Sequence, residues 1–405
     1  MRRSHKLKRI IIFSHGMEIG GAERALLGIL ECIDTEKYDI SLFLMKHKGE
    51  LMRYIPDNVR LLPEIPQYAS LAVPITDIIK RRQFRIVLGR IHGKIAAKIR
   101  IKQLKALGEN DVALEYSHKY TRNKMPQINN LEYDLAISFL TPHYFVNEKV
   151  KAKKKAAWIH TDYTVVQVDV ESQLKMWDKY DVIIAVSENV RRCFLKIFPS
   201  LINKVQVIEN IMPMKYLIES TGAFTVEQEM INDGSIKLLS IGRFCPAKNF
   251  DKVPSICKKL RCIGLNVKWY LIGYGGDEKV IRQKIVENKM SDHVIILGKK
   301  ENPYPYIKCC DLYVQPSRYE GKCVSVIEAQ ILNKPVIITD YPTAESQLVD
   351  GYDGVIVPMD FEACVQGIAS VIKNKELQEI LIRNTQEKDY SNVGKMKNIY
   401  QLLDS

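Results

Sequence analysis

The feature that most constrains the fold is the alternation of short, β-rich apolar runs with helical patterns along almost the whole chain. This alternation predicts parallel sheets covered by crossover helices. The predicted strands are residues 9–14, 40–44, 134–139, 156–160, 182–186 and 205–208, and then 236–242, 267–272, 294–297, 312–316, 335–339 and 354–357. Between the two sets, Pro213, Gly222 and Gly234 interrupt a stretch without a clear period. We therefore predict two similar α/β domains that meet within residues 212–235.

The length and the charge of the chain fit this division but leave its partner open. At about 150 residues per domain, 405 residues allow two or three domains, each with its own core. The formal net charge is +13, which predicts an anionic partner. Nucleic acid, an anionic membrane surface and a phosphorylated small molecule all satisfy that charge.

The sequence also bears on where such a protein works. No apolar run approaches the ~18 residues of a membrane-spanning helix. The basic N-terminus is followed by only four apolar residues, 10–13, so we predict no export signal. The nine cysteines show no CxxC pair and no metal-ligand spacing, which favours reduced thiols in a cytoplasm.

One basic segment, residues 78–108, breaks the α/β pattern. It contains ten Lys or Arg residues and no acidic residue. On a helical wheel an apolar stripe falls within roughly 80° and the basic residues point elsewhere; the stripe is Phe84, Leu88, Ile91, Ile95 and Ile99. The segment is either a helix packed on its own domain with a solvated basic face, or a helix lying on an anionic membrane. Nucleic-acid binding is a weaker alternative.

Residues 316–329 are the most informative stretch for chemistry. A predicted strand ends near Pro316, a loop follows, and a helix is predicted to begin close to Ser325. Unpaired backbone N–H groups at such a helix start bind phosphate, and a glutamate within the helix can accept sugar hydroxyls. Alternatively, Ser325 and Glu328 form a capping box that needs no ligand. A capping box does not explain Glu320.

Glu320 and Glu328, separated by seven residues after a strand ending in Pro-Ser, resemble the Glu-x7-Glu signature of family 4 retaining glycosyltransferases. Other segments match that family in the order it requires. They are Gly20-Gly21-Ala-Glu23-Arg24, the stretch from Gly242-Arg243 through Lys248-Asn249 to Asp251, Gly273-Tyr-Gly275-Gly276, Gly298, and Asn333-Lys-Pro335. The resemblance covers residues 9–385 and implies the GT-B fold, in which two Rossmann-like domains face each other across a cleft.

The resemblance implies a role for each matching residue. Arg243 and Lys248 would bind the diphosphate of a nucleotide sugar, Glu328 the ribose and Glu320 the transferred sugar. Taken alone, the two cations could simply be solvated loop residues, and so could Glu320. The remaining donor-binding residues that the resemblance implies are Gly20, Gly21, Gly273, Gly298, Gly321, Lys322, Cys323 and Val324.

Two predictions concern the first domain. Gly20 and Gly21 would let the backbone approach a phosphate or the acceptor, or would form a plain strand-to-helix turn. His160 lies at a predicted strand end where this family often has a histidine facing the transferred sugar, although a lone histidine is more often structural. Asp162 is a candidate only by its proximity to His160.

The family retains the anomeric configuration, which implies front-face attack without an essential protein base. The chain has no Asp-x-Asp sequence, so we predict neither a divalent metal site nor a cofactor. Many members have Glu-Gly-Phe-Gly where this chain has Glu320-Gly321-Lys322-Cys323. The Gly321-Lys322 version resembles a subgroup that builds bacterial capsule and exopolysaccharide. Lys322 is then a candidate third cation near the phosphates.

These resemblances lead to one functional prediction. Residues 1–211 would form an acceptor-binding domain, 212–385 a nucleotide-sugar-binding domain, and 386–405 a helix returning to the first domain. The enzyme would transfer a hexose or N-acetylhexosamine, expected from a UDP-sugar, to a lipid-linked or surface-polysaccharide acceptor. It would lie on the cytoplasmic face of the plasma membrane through residues 78–108.

Other functions explain less of the sequence. A nucleotide-sugar epimerase of the same fold would not account for the Gly20-Gly21 loop or the basic segment. A non-enzymatic polyanion or nucleic-acid binder rests on charge alone, and we predict no nucleic-acid partner. An NAD-type oxidoreductase is disfavoured because the glycines from Gly16 to Gly21 and from Gly273 to Gly276 do not form the dinucleotide fingerprint.

Overall fold

The computed structural model describes residues 7–104, 111–161, 163 and 166–403. It divides the chain into a first unit, Met1–Met212 with Asn392–Ser405, and a second unit, Pro213–Ser391. The predicted second domain began at 212, one residue before this boundary. Residues 386–391 belong with the second unit. The chain therefore returns to the first unit at residue 392 and not at the predicted residue 386.

The first unit is built on one parallel sheet with the strand order β3-β2-β1-β4-β5-β6-β7. Its strands are β1 (Lys8–Ser14), β2 (Tyr38–Leu44), β3 (Arg60–Leu61), β4 (Glu132–Ser138), β5 (Lys151–Ile159), β6 (Val182–Ala185) and β7 (Val205–Val207). Its first helices are α1 (Gly21–Cys32), α2 (Pro66–Ala69), α3 (Ile75–Lys80), α4 (Phe84–Leu104), α5 (Val112–Thr121), α6 (Tyr144–Lys149), α7 (Val170–Trp177) and α8 (Glu188–Ile197).

The second unit repeats this architecture with the strand order β10-β9-β8-β11-β12-β13, again parallel. Its strands are β8 (Ile236–Ile241), β9 (Val267–Ile272), β10 (Val294–Gly298), β11 (Leu312–Gln315), β12 (Val336–Thr339) and β13 (Val355–Val357). Its helices are α9 (Met214–Ser220), α10 (Val253–Cys262), α11 (Glu278–Glu287), α12 (Tyr304–Cys309), α13 (Val324–Ile331), α14 (Ala344–Gln347), α15 (Phe361–Lys373) and α16 (Lys375–Glu387).

The last helix, α17 (Met396–Gln401), belongs to the first unit. The Tyr400 ring stacks on that of Tyr38 with the ring centroids 4.7 Å apart. The Tyr400 hydroxyl also accepts a hydrogen bond from the Asp34 backbone N–H at 2.9 Å. These contacts fasten the C-terminal segment to the loop between α1 and β2.

The continuous apolar runs became central strands because a parallel sheet is covered on both faces. In β1, residues 10–13 are almost completely buried, and Ile10 lies opposite both Ile40 of β2 and Leu135 of β4. All twelve predicted strands are present, with their ends shifted by a few residues. The prediction missed Arg60–Leu61, a two-residue edge strand too short to show a pattern.

The basic segment is not one continuous helix. It comprises the end of α3, a break at which Arg82 has a φ of 56°, and α4; the predicted residues 105–108 lie outside the described part of the chain. Within the described residues, no helix has both the length and the apolarity needed to cross a bilayer.

Helix α4 packs on α5 through small residues and Ile101, and not through the predicted apolar stripe. Gly89, Gly93 and Ala97 are buried, and a Cβ added at Gly93 would lie 2.6 Å from the Tyr116 carbonyl oxygen. The five residues of the predicted apolar stripe are exposed: Phe84 by 58%, Leu88 by 65%, Ile91 by 43%, Ile95 by 54% and Ile99 by 56%. The backbone of α4 thus approaches α5 closely, and its apolar stripe faces solvent.

Candidate functional site

Three glycine loops meet at the carboxyl edge of the second sheet, where β8, β9 and β10 end. The Gly242 N–H donates to the Ile272 carbonyl at 3.0 Å, and the Gly273 N–H donates to the Gly298 carbonyl at 2.9 Å. A Cβ at Gly273 would lie 1.9 Å from the Gly242 carbonyl oxygen. A side chain at this position would therefore push the loops apart, which explains the glycine.

Arg243 and Lys248 follow β8 on this edge but differ in their surroundings. Arg243 is exposed and makes no ion pair within the described residues. Lys248 lies across Gly242, where an added Cβ would approach its Cε atom to 2.9 Å. One cation is thus free to meet a ligand, and the other is held against the backbone.

The Lys248 ammonium forms a short ion pair with the predicted catalytic residue Glu320. The Nζ to Oε1 distance is 2.5 Å, and the side chains are only 17% and 11% exposed. The Ser317 hydroxyl donates to the same Glu320 oxygen at 2.6 Å. The structure therefore brings together two residues that are 72 positions apart in the sequence.

Electrostatics keep Lys248 charged. Burial alone would lower the pKa of Lys248, but the neighbouring Cys323 and Glu320 outweigh it and raise that pKa above its ordinary value. Burial raises the pKa of the Cys323 thiol. The Cys323 sulfur lies 3.8 Å from Lys248 Nζ. The site therefore presents a permanent ammonium group to any anion bound at this edge.

A second ion pair fastens the loop after β8 to the loop after β11. The Arg318 guanidinium donates to both carboxylate oxygens of Asp251 at 3.1 and 3.0 Å. The Arg318 backbone N–H donates to the Ala247 carbonyl at 2.7 Å. Asp251 was part of the recognised motif, but its partner Arg318 was missed because neither spacing nor residue type links the two loops.

Helix α13 begins one residue before the predicted position, and its cap is not the expected one. The N-cap is Cys323, so Ser325 lies inside the first turn and the capping box with Glu328 is absent. The Ser325 hydroxyl instead accepts a hydrogen bond from Tyr313 at 2.8 Å and donates to the Ile241 carbonyl at 3.3 Å. The capping alternative was therefore wrong, and Ser325 ties α13 to the end of β8.

Glu328 is fully buried in the first turns of α13. Its Oε1 atom accepts a hydrogen bond from the Tyr304 hydroxyl of α12 at 2.9 Å. Its carboxylate is thus oriented from a neighbouring helix, an arrangement that a capping box would not provide. Tyr304 belongs to none of the motifs, so the sequence analysis did not select it.

The loop between β11 and α13 is held by residues that follow β12. The Thr343 hydroxyl donates to the Glu320 carbonyl at 2.9 Å, and Lys322 donates to the Ser346 carbonyl. The Gln347 side chain accepts from the Cys323 N–H at 2.7 Å and donates to the Cys323 carbonyl at 3.3 Å. Gly321 lies in this loop and Val324 starts the helix. Lys322 thus bonds to the protein backbone, and its role toward phosphate stays a prediction.

The first unit presents Gly20 and Gly21 after β1. Gly20 is the N-cap of α1 and Gly21 is its first residue. A Cβ at Gly20 would lie 2.1 Å from Glu23 Oε2, because the Glu23 carboxylate folds back over the helix start. A larger residue at position 20 would only displace this flexible carboxylate, so the local packing does not require a glycine, and the role of Gly20 in donor binding stays a prediction.

His160 directly follows β5 and lies among aromatic rings. Its imidazole packs against Phe139 and Trp158, with centroids 4.6 and 6.4 Å away. Burial lowers the pKa of His160 to about 4, so it is neutral at pH 7. Its Nε2 atom faces a cavity of about 100 Å³ and has no hydrogen-bond partner among the described residues. It can therefore bind a hydroxyl group but is not a cation. Asp162 lies outside the described residues.

The second unit thus offers an arrangement suited to a phosphorylated sugar. Arg243, Lys248 and the start of α13 supply positive charge and N–H groups, and they lie beside two carboxylates, Glu320 and Glu328. Cations and helix N-termini bind phosphate, whereas carboxylates accept hydrogen bonds from hydroxyl groups. The first unit supplies a neutral imidazole at a strand end.

Comparison with known proteins agrees with this reading of the second unit. Residues 223–388 match the sequence profile of the family Glycosyl transferases group 1. An uncharacterised glycosyltransferase of Methanocaldococcus jannaschii is 31% identical over 170 residues, which are 40% of this chain and 46% of that protein. The matches span 46%, 65% and 44% of the lengths of the first three curated relatives.

A UDP-Gal:alpha-D-GlcNAc-diphosphoundecaprenol alpha-1,3-galactosyltransferase of Escherichia coli is 20% identical over 397 residues, covering 95% of this chain and 93% of that protein. Among solved structures, the Anabaena protein HepE, crystallised with UDP and glucose, has a TM-score of 0.67 and 15% identity. That match covers 98% of this chain and 99% of HepE. The predicted GT-B fold is confirmed.

Proposed function

We propose that this chain, which contains a Glycosyl transferases group 1 domain over residues 223–388, is a retaining glycosyltransferase that uses a UDP-sugar as donor. It transfers a hexose or an N-acetylhexosamine to a lipid-linked or surface-polysaccharide acceptor. The observation that supports this most strongly is the buried Lys248–Glu320 ion pair beside the start of α13. In this proposal Lys248 meets the leaving diphosphate, and Glu320, directly beside it, meets the transferred sugar.

The proposed chemistry uses each residue of the second unit for one task. Lys248 and Arg243 stabilise the diphosphate as its negative charge grows during departure. Glu328, oriented by Tyr304, accepts the ribose hydroxyls, and Glu320 accepts a hydroxyl of the transferred sugar. The departing phosphate takes the proton of the attacking acceptor hydroxyl, so the new bond forms on the face that the leaving group vacates. The charge of the diphosphate is met by side chains and backbone N–H groups, without a metal ion.

The proposed acceptor follows from two observations. The Escherichia coli relative that matches almost the full chain is described as acting on a diphosphoundecaprenol-linked sugar. Helix α4 of this chain exposes an apolar stripe, and Arg85, Lys94 and Lys98 on the same helix are also exposed. An apolar stripe flanked by cations suits the headgroup region of an anionic membrane. We therefore place the enzyme on the cytoplasmic face of the plasma membrane.

Calorimetric titration with UDP-, GDP- and ADP-sugars tests the donor assignment. We expect the UDP-sugars to bind most tightly and Glu328→Gln to weaken them about tenfold, because a neutral amide accepts hydrogen bonds from the ribose less strongly than a carboxylate does. The matched control is Glu379→Gln, an exposed glutamate on α16 that should leave binding unchanged. Absence of binding to all three nucleotide classes would rule out the proposal.

A further inference from the structure

A second pocket, of about 540 Å³, opens at the carboxyl edge of the first sheet. Its size lies within the range of about 300 to 1,000 Å³ that is typical of small-molecule sites. The segments after β1 and β2, the first turn of α1 and one residue of α4 contribute its charged side chains. These are His15, Glu18, Glu23, Lys46, Lys48 and Arg90.

Two of these cations have no carboxylate partner among the described residues. The half-buried Arg90 guanidinium donates there to the carbonyls of Ser70 and Val73. Lys46 is also half-buried, and its side chain makes no ion pair or hydrogen bond within the described part of the chain. A cation withdrawn from water without an opposite charge is unfavourable, and a bound anion would compensate it.

The other charged groups of the pocket do not neutralise these two. Glu18 is taken by Lys48, with 3.1 Å between its Oε1 and the ammonium, and the Glu23 carboxylate folds over Gly20. Burial lowers the pKa of His15, so this imidazole is neutral at pH 7 and offers a hydrogen bond rather than a charge. Arg90 and Lys46 thus remain as the charges available to a ligand.

The backbone that positions these groups is already fastened. The Lys46 N–H donates to the His15 carbonyl at 3.0 Å, and the Met17 N–H donates to the Lys48 carbonyl at 2.9 Å. A Cβ at Gly16 would lie 3.1 Å from the Lys48 carbonyl oxygen, so a larger residue there would require the two loops to move apart by a few tenths of an ångström. The pocket is therefore formed without a ligand.

Helix α4 carries both Arg90 and the apolar stripe, on different faces. Leu88 and Ile91, its neighbours along the helix, are exposed by 65% and 43%. At about 100° per residue, Arg90 lies roughly 140° around the helix from the centre of the stripe, so a lipid chain on the stripe would pass around α4 to bring its phosphate to Arg90. A free phosphate would use the cations but not the stripe.

We propose that this pocket binds the phosphate or diphosphate group of a lipid-linked acceptor, with Arg90 and Lys46 as its cationic ligands. The inference rests on the proposed glycosyl transfer to a lipid-linked acceptor and adds a place for the charged part of that acceptor. The residues of this site belong to the first unit, whereas Lys248 and Arg243, which serve the donor, belong to the second unit.

Calorimetric titration with farnesyl diphosphate, inorganic pyrophosphate and farnesol tests this site in the full chain, with UDP at saturation to occupy the donor site. We expect farnesyl diphosphate to bind more tightly than pyrophosphate, and farnesol to bind weakly. Arg90→Gln and Lys46→Gln should each lower the affinity for farnesyl diphosphate about tenfold, as loss of a charged hydrogen bond does. Lys196→Gln, which removes an exposed charge on α8 of the same unit, should change it less than twofold.

Comparing the Arg90 and Lys46 variants separates loss of a ligand contact from loss of packing. Arg90 also holds the carbonyls of Ser70 and Val73, so its replacement affects packing, whereas the Lys46 side chain has no such contact among the described residues. Equal effects of Lys46→Gln and Lys196→Gln would overturn the pocket. Pyrophosphate binding as tight as that of farnesyl diphosphate would overturn the lipid source. UDP binding is measured in the same samples. Its absence would refute the proposed function, whereas its presence without an effect of Arg90 or Lys46 would refute this inference alone.

Discussion

At the scale of single residues, the proposed site side chains are held by contacts between elements that are distant in the sequence. Lys248 meets Glu320 across 72 positions, Tyr304 of α12 donates to Glu328, and Arg318 after β11 pairs with Asp251 after β8. The Glu-x7-Glu and Arg-x4-Lys spacings predicted Glu320, Glu328, Arg243 and Lys248 but not Tyr304 or Arg318. Such long-range contacts depend on the fold, and no local pattern in one sequence specifies them.

Two asparagines of the recognised motifs have a simple backbone explanation. Asn249 and Asn333 have φ values of 57° and 55°, in the left-handed region that glycine and asparagine tolerate best. Asn249 ends the turn that contains Lys248, and Asn333 follows the end of α13. The residue type at each position therefore reports on local backbone conformation rather than on ligand contact.

Gln347 provides a residue-scale prediction about the start of α13. Gln347→Met keeps the side-chain length but removes both hydrogen bonds to Cys323, leaving a buried N–H unsatisfied. We expect the free energy of unfolding to fall by about 2 kcal/mol and UDP affinity to fall about tenfold, because the first turn of α13 loses its support. Urea unfolding and calorimetry measure the two quantities.

The control for this prediction is Gln283→Met on the exposed face of α11, where the glutamine bonds only to Glu287. Its effect on the free energy of unfolding should stay within about 0.5 kcal/mol. If Gln347→Met matched the control in both stability and UDP affinity, Gln347 would not position the helix start.

At the scale of elements, periodicity predicted the strands well because central parallel strands are continuous apolar runs. It did not show which face of α4 packs on the protein. The wheel singled out the large apolar residues, whereas packing uses Gly89, Gly93 and Ala97, whose small side chains let α4 approach α5. The packed-surface-helix alternative is thus correct for one face of α4 and leaves the apolar stripe without cover in the described residues.

The apolar stripe leads to a prediction for membrane binding. The triple variant Leu88→Gln, Ile91→Gln and Ile95→Gln should lower cosedimentation with phosphatidylcholine–phosphatidylglycerol vesicles at least tenfold, since each exposed apolar side chain contributes on the order of 1 kcal/mol when buried in lipid. UDP binding should be unchanged because the second unit is not altered. Val286→Gln, an equally exposed apolar residue on α11, is the control and should sediment like the parent chain.

The flanking cations add an electrostatic component to the same interaction. Each Lys or Arg near an anionic surface contributes about 1 kcal/mol, which salt screens. Cosedimentation of the parent chain should therefore decrease as salt rises, more steeply than for a chain with Arg85, Lys94 and Lys98 replaced by glutamine. Identical salt dependence of the two chains would contradict a role for these cations.

At the scale of the whole molecule, the first unit contains more buried histidine than its second counterpart in the described residues. Burial lowers the pKa of His118 and His143 to about 3 and that of His160 to about 4, from an ordinary value of 6.5. Glu115, whose pKa is raised by burial, acts in the opposite direction. Three histidines act in one direction and one glutamate in the other, so the net effect on stability is that of the histidines.

These shifts predict acid sensitivity of the first unit. Below pH 6.5 these histidines are protonated in the unfolded chain but stay neutral in the folded chain. The free energy of unfolding is therefore unaffected by them above pH 6.5 and decreases as the pH falls toward 4. Each histidine contributes about 1.4 kcal/mol per pH unit in this range. Urea unfolding at pH 7.5 and pH 5 measures the loss, and hydrogen exchange shows which unit opens. Equal stability of the first unit at both pH values would contradict the lowered pKa values of these histidines.

In the proposed function, Lys248, Arg243 and Glu320 of the second unit catalyse the transfer of a sugar from a UDP-sugar to a lipid-linked acceptor. The most direct measurement incubates the full chain with radiolabelled UDP-sugars and a bacterial membrane lipid extract, and follows label into the organic phase together with UDP release. We predict transfer from at least one UDP-sugar, with retained anomeric configuration, and a loss of at least a hundredfold in Arg243→Gln and Glu320→Gln while Glu379→Gln transfers normally. Absence of transfer from every UDP-sugar, or normal transfer by Arg243→Gln and Glu320→Gln, would contradict it.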